Sequence, residues 1–358
     1  MKSLFAKIIG LCAVVAILGA PAHAADGPTF LKRTVNIKMW RFLRHWATPT
    51  AKTPQYNTWC WVPQMDFQVI GPVAGGSQWI VEFDKPDGKP WLVRNCRSDE
   101  ATDGEIVTIK TPPIDDVKDE KKATTAKMGS FPFHIRLKNE LEGTNKVVFS
   151  GKYIVKTYAP NQSIPEYKGK SEFYADADWH LPIGFIWLDP TDNDDAFPLK
   201  VSMWFRGLGS SPSVQALIFK DGQQVGDVAG HSEDAELATG VDDNAHRWKL
   251  ITFTWSQLRS LVAGKEKPSG YNWTYLSDAP GVYQIKVLRD NKIARTASFT
   301  IGTDGKVVDN GIAKANNLGG IRMVLPVKVV GTADGAWNPL AWKTGAFYGN
   351  PLKGFTAP

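Results

Sequence analysis

The sequence predicts an all-β protein built from two β-sandwiches, and three observations predict it. Nearly every apolar segment alternates with period two, these segments are bounded by Gly, Pro, Asn or Asp, and the second half of the chain repeats the pattern of the first. Alternation of period two sends successive side chains to opposite faces of an extended backbone, which suits strands with one buried and one solvated face.

The first 24 residues of the 358 stand apart. Lys2 and Lys7 form a basic head, Ile8 to Leu18 an apolar core, and Ala22, His23 and Ala24 a small-x-small cleavage site, the layout of a signal peptide over residues 1–24. The apolar run is shorter than the ~20 residues of a membrane span, and Cys12 lies inside it rather than after a small-residue lipobox, so no transmembrane or lipid anchor is expected. The mature chain is therefore expected outside the cytoplasm, periplasmic or extracellular.

A first sandwich is expected over residues 25–159. Val35, Ile37 and Met39 mark its first strand, with Arg33, Lys38, Arg41 and Arg44 on the solvated face beside Trp40 and Trp46. A basic, aromatic segment can bind nucleic acid in a cytosolic protein, and export argues against that here. Further strands follow at Phe67 and Val69, at Val81 and Phe83 running into an Asp87–Gly88 hairpin, and at Phe133, Ile135 and Leu137 with His134 facing solvent. The charged run Pro112–Lys127 reads as an exposed loop. Pro160, Asn161, Gln162, Ser163, Pro165 and Gly169 mark a linker over 160–170.

The second sandwich is expected over 171–358. Val201, Met203 and Phe205 repeat Met65, Phe67 and Val69, and Phe219 with its Asp221–Gly222 hairpin repeats Phe83 with Asp87–Gly88. Tyr283, Ile285, Val287 and Phe299 then repeat Phe133, Ile135, Leu137 and Phe149 after a longer gap. A short helical insertion over Ser256–Ala263, capped by Ser256 or Thr254 and ended by Gly264, accounts for the extra length and makes the second domain the larger. A further strand lies between Gly320 and Val330, and the Trp-, Gly- and Pro-rich tail from Gly335 to Pro358 is expected to pack along the second domain. Short strands with turn residues every 8 to 12 positions resemble two tandem immunoglobulin-like or fibronectin-like domains joined by internal duplication.

Removing Cys12 with the leader leaves Cys60 and Cys96, an even pair in an oxidising compartment, and predicts one disulfide. Lys plus Arg exceeds Asp plus Glu by 6, a mild excess consistent with solubility. No nucleophile elbow, His-Glu-x-x-His pair, Walker loop or Cys-x-x-Cys occurs. Dispersed carboxylates that converge only in the fold keep a hydrolase open as a second alternative.

Asp189, Asp192, Asp194 and Asp195 crowd oxygen ligands onto one loop, the arrangement a calcium ion needs, with Asp176 and Asp178 as possible neighbours; the same residue types also build ordinary turns. Of the 14 tryptophans, Trp79, Trp204 and Trp248 sit in strand patterns and are expected in cores. Trp46, Trp59, Trp61, Trp179, Trp273, Trp337 and Trp342 sit in loop-like or terminal positions. Trp59 and Trp61 flank Cys60 and would form an aromatic platform, so Trp59, Trp61, Trp179 and Trp273 are the expected contacts for a ligand or partner. The reading is an exported, non-catalytic protein that binds or scaffolds a protein or polysaccharide of the cell envelope. A carbohydrate-binding protein using loop tryptophans is the first alternative.

Overall fold

The computed structural model describes residues 27–45, 57–97, 100–112, 123–190, 195–209, 213–237 and 244–358. The signal peptide, Trp46, Asp192, Asp194 and most of the Pro112–Lys127 run lie outside the described residues, as does the side chain of Trp59.

The protein is mostly β. The first half supplies β1 (Thr29–His45), β2 (Asn57–Ile70), β3 (Ser77–Asp84), β4 (Pro90–Arg97), β5 (Ile106–Lys110), β6 (Gly129–Asn139), β7 (Thr144–Tyr158) and β8 (Glu172–Ala175). The second half supplies β9 (Ile183–Leu188), β10 (Ala196–Arg206), β11 (Val214–Lys220), β12 (Gln223–Gln224), β13 (Gly230–Leu237), β14 (Trp248–Leu261), β15 (Thr274–Tyr275), β16 (Gly281–Arg289), β17 (Lys292–Ile301) and β18 (Met323–Val329). Among the described residues two short α-helices are α1 (Ile312–Ala315), between β17 and β18, and α2 (Trp342–Gly349), after β18.

In the first half a sheet of order β1-β2-β5 faces a sheet of order β4-β3-β6-β7-β8. Val35, Ile37, Phe67 and Val69 from one meet Trp79, Val81, Phe133 and Ile135 from the other in a common core, as their alternation predicts. In the second half one sheet runs β12-β11-β16-β17-β18-β9-β10-β14-β13, with β15 beside β14. It folds back on itself at β18, whose start pairs with β9 (Met323↔Ile186 to Pro326↔Ile183) and whose end pairs with β17 (Ala297↔Val327, Arg295↔Val329). Val201, Met203 and Phe205 then face Tyr283, Ile285 and Val287 across a second core.

The two cores share a wall. On β9, Ile183, Phe185 and Trp187 enter the first core while Ile186 enters the second. Burial on both faces is why this strand reads as an unbroken apolar run. Trp79, Trp204 and Trp248 are all buried, as their strand positions predict.

Four expectations are corrected. Residues 160–170 do not join the halves; they are the return between β7 and β8 of one sheet, where Tyr158 pairs with Glu172, and the chain changes sheet later, between Ala175 and Ile183. Ser256–Ala263 is not a helix, because β14 runs on to Leu261 to bury Trp255, Leu258 and Ser260. Residues 256–258 are looped out where pairing passes from Pro198↔Arg259 to Leu199↔Trp255, and Arg259 Nε donates to Ser256 O at 2.6 Å across that bulge. The tail packs not along the second half but into the first core, through Phe347, Tyr348, Leu352 and Phe355. Among the described residues no disulfide forms. Cys96 stands opposite Trp79 and points into the first core, whereas Cys60 alternates with the core residue Trp61 and so lies on the other face of β2. Burial pushes the Cys96 thiol up to about 12.

Candidate functional site

The length by which the second half exceeds the first lies between β12 and β14, where β13 is inserted; the segment 262–273 joins β14 to β15. Its start is tied down by Val262 N donating to Asp195 O at 2.9 Å, and a turn closes with Lys265 N donating to Val262 O at 3.1 Å. Gly264 (φ 80°) and Gly270 (φ 89°) take left-handed conformations at its two ends. At the far end Lys267 Nζ meets Asp278 at 2.5 Å. The segment is therefore a fixed excursion of the sheet edge.

It carries Tyr271 and Trp273. Their rings are stacked, with centroids 4.3 Å apart and an interplanar angle of 15°. On β14, the guanidinium of Arg259 lies 4.0 Å from the Trp273 ring centroid. Arg259 is itself buried and anchored, its Nη1 donating to Ala196 O at 3.0 Å. The result is a three-layer stack rooted in the β14 bulge. Trp273 is half-buried, and Tyr271, the outermost layer, is 58% exposed. A guanidinium against a ring face adds a cation–π attraction of about 0.5–1 kcal/mol or more, which holds the indole without covering the tyrosine. Two aromatic residues separated by one position and stacked on an arginine present a rigid planar surface, suited to a flat, weakly polar ligand face.

Of the residues expected at the site, Trp273 is thus at the surface. Trp61 is not: it is fully buried, packed edge-on against Trp91 (5.5 Å) and Phe131 (4.8 Å), with Nε1 donating to Lys127 O at 3.1 Å. The platform around Cys60 is therefore overturned on the Trp61 side, because the first core needs that ring. Trp179 is also buried, stacked on His180 at 3.5 Å and packed on Phe347 and Tyr348. Tyr271 was missed by a reading confined to tryptophan; its spacing of two from Trp273 between Gly270 and β15 was the available clue.

The acidic loop is partly described. Asp189 is nearly buried and paired with Lys200 at 2.5 Å, and the exposed Asp195 is paired with Lys265 at 3.4 Å. Among the described residues no group of three metal-ligating side chains occurs. Asp176 is paired with Lys156, and Asp178 accepts from Asn338 N at 3.0 Å and meets Arg206 at 3.4 Å. Asp176 lines a cavity of about 130 Å³ between β7 and α2, which Asp178 does not reach.

No helix among the described residues is long and apolar enough to cross a membrane. No protein-family model matches the chain, and no curated protein matches it significantly.

Proposed function

We propose that the chain is an exported, non-catalytic binding protein of two tandem fibronectin-like sandwiches, and that it recognises carbohydrate at the Arg259–Trp273–Tyr271 stack. The tandem reading is supported by strand order: β1-β2-β5 opposite β4-β3-β6-β7-β8 corresponds element by element to β9-β10-β14 opposite β12-β11-β16-β17-β18. The carbohydrate reading is carried by one observation, the exposed outer face of Tyr271 on a stack that burial holds in place. A prearranged ring loses little side-chain entropy when a sugar face lies on it.

A glycan array tests this. The reading expects retention of at least one glycan class, and a loss of about tenfold or more in affinity for Tyr271→Ala, equivalent to about 1.4 kcal/mol. The melting temperature should not change. Binding to no glycan, or equal binding by the variant, refutes it.

Scaffolding of an envelope protein is the second reading, and the β1–β2 hairpin favours it. Its pairing with β5 ends at Asp66, yet β1 and β2 stay paired out to His45↔Asn57, bridged on the β2 side by Thr125 at Trp61, and the 54% exposed Trp40 lies on this extension. Capture from an envelope extract that is lost on Trp40→Ala and kept on Tyr271→Ala identifies this reading instead.

A further inference from the structure

A groove of about 760 Å³ opens between the start of β1, α1 and the segment 318–323, well within the size range of ligand pockets. Arg322 and Lys314 line it, and Arg33 stands behind Gly320 on its wall. Arg33 on β1, expected from its sequence position on a solvated face, instead turns its guanidinium against Gly320, where a Cβ would stand 3.3 Å from Nη2. Its Nη1 donates to Gly319 O at 3.3 Å, while its Nε is buried with no hydrogen-bond partner. Arg322 lies flat on Trp187, 3.9 Å from the ring centroid.

The two arginines are close enough to disturb one another and are not neutralised. Burial first, and Arg322 second, bring Arg33 down to about 10, and burial also lowers Arg322. Among the described residues neither guanidinium has a carboxylate within ion-pair distance. The acids whose fields reach Arg322 are engaged elsewhere: Asp189 with Lys200 at 2.5 Å, and Asp234 with Thr252 Oγ1 at 2.5 Å. The carboxylate on the groove wall, Asp309, accepts from Gly311 N at 2.8 Å and closes its own turn. Like charges brought together and half-desolvated without a counter-ion are unfavourable in the empty protein, and an anion bound at Arg322 in the groove recovers part of that energy.

We propose that this groove is a second binding site, and that it takes a phosphate monoester. A phosphomonoester carries about −1.5 to −2 charges at neutral pH, which matches two guanidiniums better than a carboxylate or sulfate ester does. Arg322 on the groove wall can engage phosphate oxygens through two parallel N–H donors, Lys314 on the same wall adds a point charge, and Arg33 adds its charge from behind Gly320. The rest of the molecule meets Phe30, Leu318, Ile321 and Met323, so an apolar substituent on the phosphate fits. The same headgroup chemistry occurs in free phosphomonoesters and in a lipid such as phosphatidic acid. This site is independent of the proposed carbohydrate stack and does not rest on it.

Calorimetric titration of the full chain with phenyl phosphate, phenyl sulfate, benzoate and inorganic phosphate tests the assignment. Phenyl phosphate should bind most tightly, ahead of inorganic phosphate because of the apolar wall and ahead of the two monoanions because of charge. Arg322→Gln should weaken it by about tenfold or more. Ile321, 56% exposed on the groove wall, offers a variant that leaves the core untouched: Ile321→Asp puts a carboxylate in the groove and should weaken binding similarly even if Arg322→Gln fails to fold. Flotation with phosphatidic-acid vesicles, set against competition by phenyl phosphate, separates a lipid headgroup from a free ligand. Absence of phenyl phosphate binding, equal binding of all three aromatic anions, or wild-type affinity in Ile321→Asp overturns the proposal.

Discussion

The hydroxyl of Tyr348 accepts a hydrogen bond from Ile37 N at 3.0 Å and donates to Val35 O at 3.3 Å, across more than three hundred residues of chain. The contact repairs a defect. Between Leu31↔Gln68 and Asn36↔Asp66 the β1–β2 register slips, which leaves the residues between them on β1 without ladder partners. Thr34 Oγ1 fills part of the gap by donating to Leu31 O at 2.7 Å and accepting from Gln68 N at 2.8 Å, and Tyr348 adds a partner for Val35 O within the gap and for Ile37 N just beyond it. Tyr348 does so from a left-handed backbone (φ 58°), an unfavourable conformation that packing on Phe133 and Trp179 sustains. Tyr348→Phe keeps the ring and leaves the buried Ile37 amide and Val35 carbonyl unpaired, so it should cost about 1–3 kcal/mol by urea unfolding. Tyr348→Ala should cost about 3–5 kcal/mol by also opening a cavity. A loss below about 0.5 kcal/mol for Tyr348→Phe is within the range of ordinary surface substitutions and contradicts the role.

Truncation before α2 tests the same contact at the level of the fold. Residues 342–358 contribute Phe347, Tyr348, Leu352 and Phe355 to the first core and none to the second. Their removal should therefore loosen the half of the chain that is more distant in sequence. Hydrogen exchange should find lost protection on β1 and β6, with β10 and β16 unchanged. The reverse pattern means that the tail belongs energetically with the second half.

Strands with one solvated face were legible because alternation records their burial directly: Val81 and Phe83, or Phe133, Ile135 and Leu137, can only face one way. The two Asp-Gly hairpins were legible for a local reason as well, since Gly88, Asp221 and Gly222 all take positive φ. What alternation cannot record is a contact made by a segment with no period of its own. Ile183–Trp187, buried on both faces, had no polar residue to set a phase, and the tail's Tyr348 gave no sign of which half it enters. Trp61 and Trp273 look alike in sequence, each near turn formers and polar neighbours. Only the packing of Phe131 and Trp91 buries the first, and only the Arg259 bulge holds the second at the surface.

Arg295 and Asp334 form a bidentate pair at 2.5 and 2.6 Å, both fully or nearly buried. Arg295 Nη2 also donates to Trp204 O at 3.0 Å, and Asp334 accepts from Arg206 N at 2.9 Å, so the pair joins β17, β10 and the segment after β18. Removing one partner strands a buried charge. Asp334→Ala or Arg295→Ala should each cost about 3–5 kcal/mol, whereas Arg295→Met with Asp334→Leu should cost less than the sum of the singles. Additive losses in that double-mutant cycle refute the coupling.

His180 sets an expectation for pH. Its ring lies between Trp179 (3.5 Å) and Trp204 (4.4 Å), fully enclosed, with Nε2 lacking a hydrogen-bond partner. Burial holds its pKa well below the ordinary histidine value of 6.5. The folded protein therefore keeps His180 neutral where the unfolded chain already binds a proton. Its contribution to stability is complete above the unfolded value and is lost as pH falls below it, by about 1.4 kcal/mol per pH unit until the folded pKa is reached. The neighbouring Asp178 acts with the opposite sign: burial first and Asp176 second push its carboxyl up, so the folded state takes that proton more readily than the unfolded one, in the lower window just above 3.8. Urea midpoints measured between pH 7.5 and 5.0 should fall in the wild type and flatten in His180→Phe, which preserves the stacking and cannot titrate. An equal slope in the two proteins means that His180 reaches solvent and that the junction between the two cores is open.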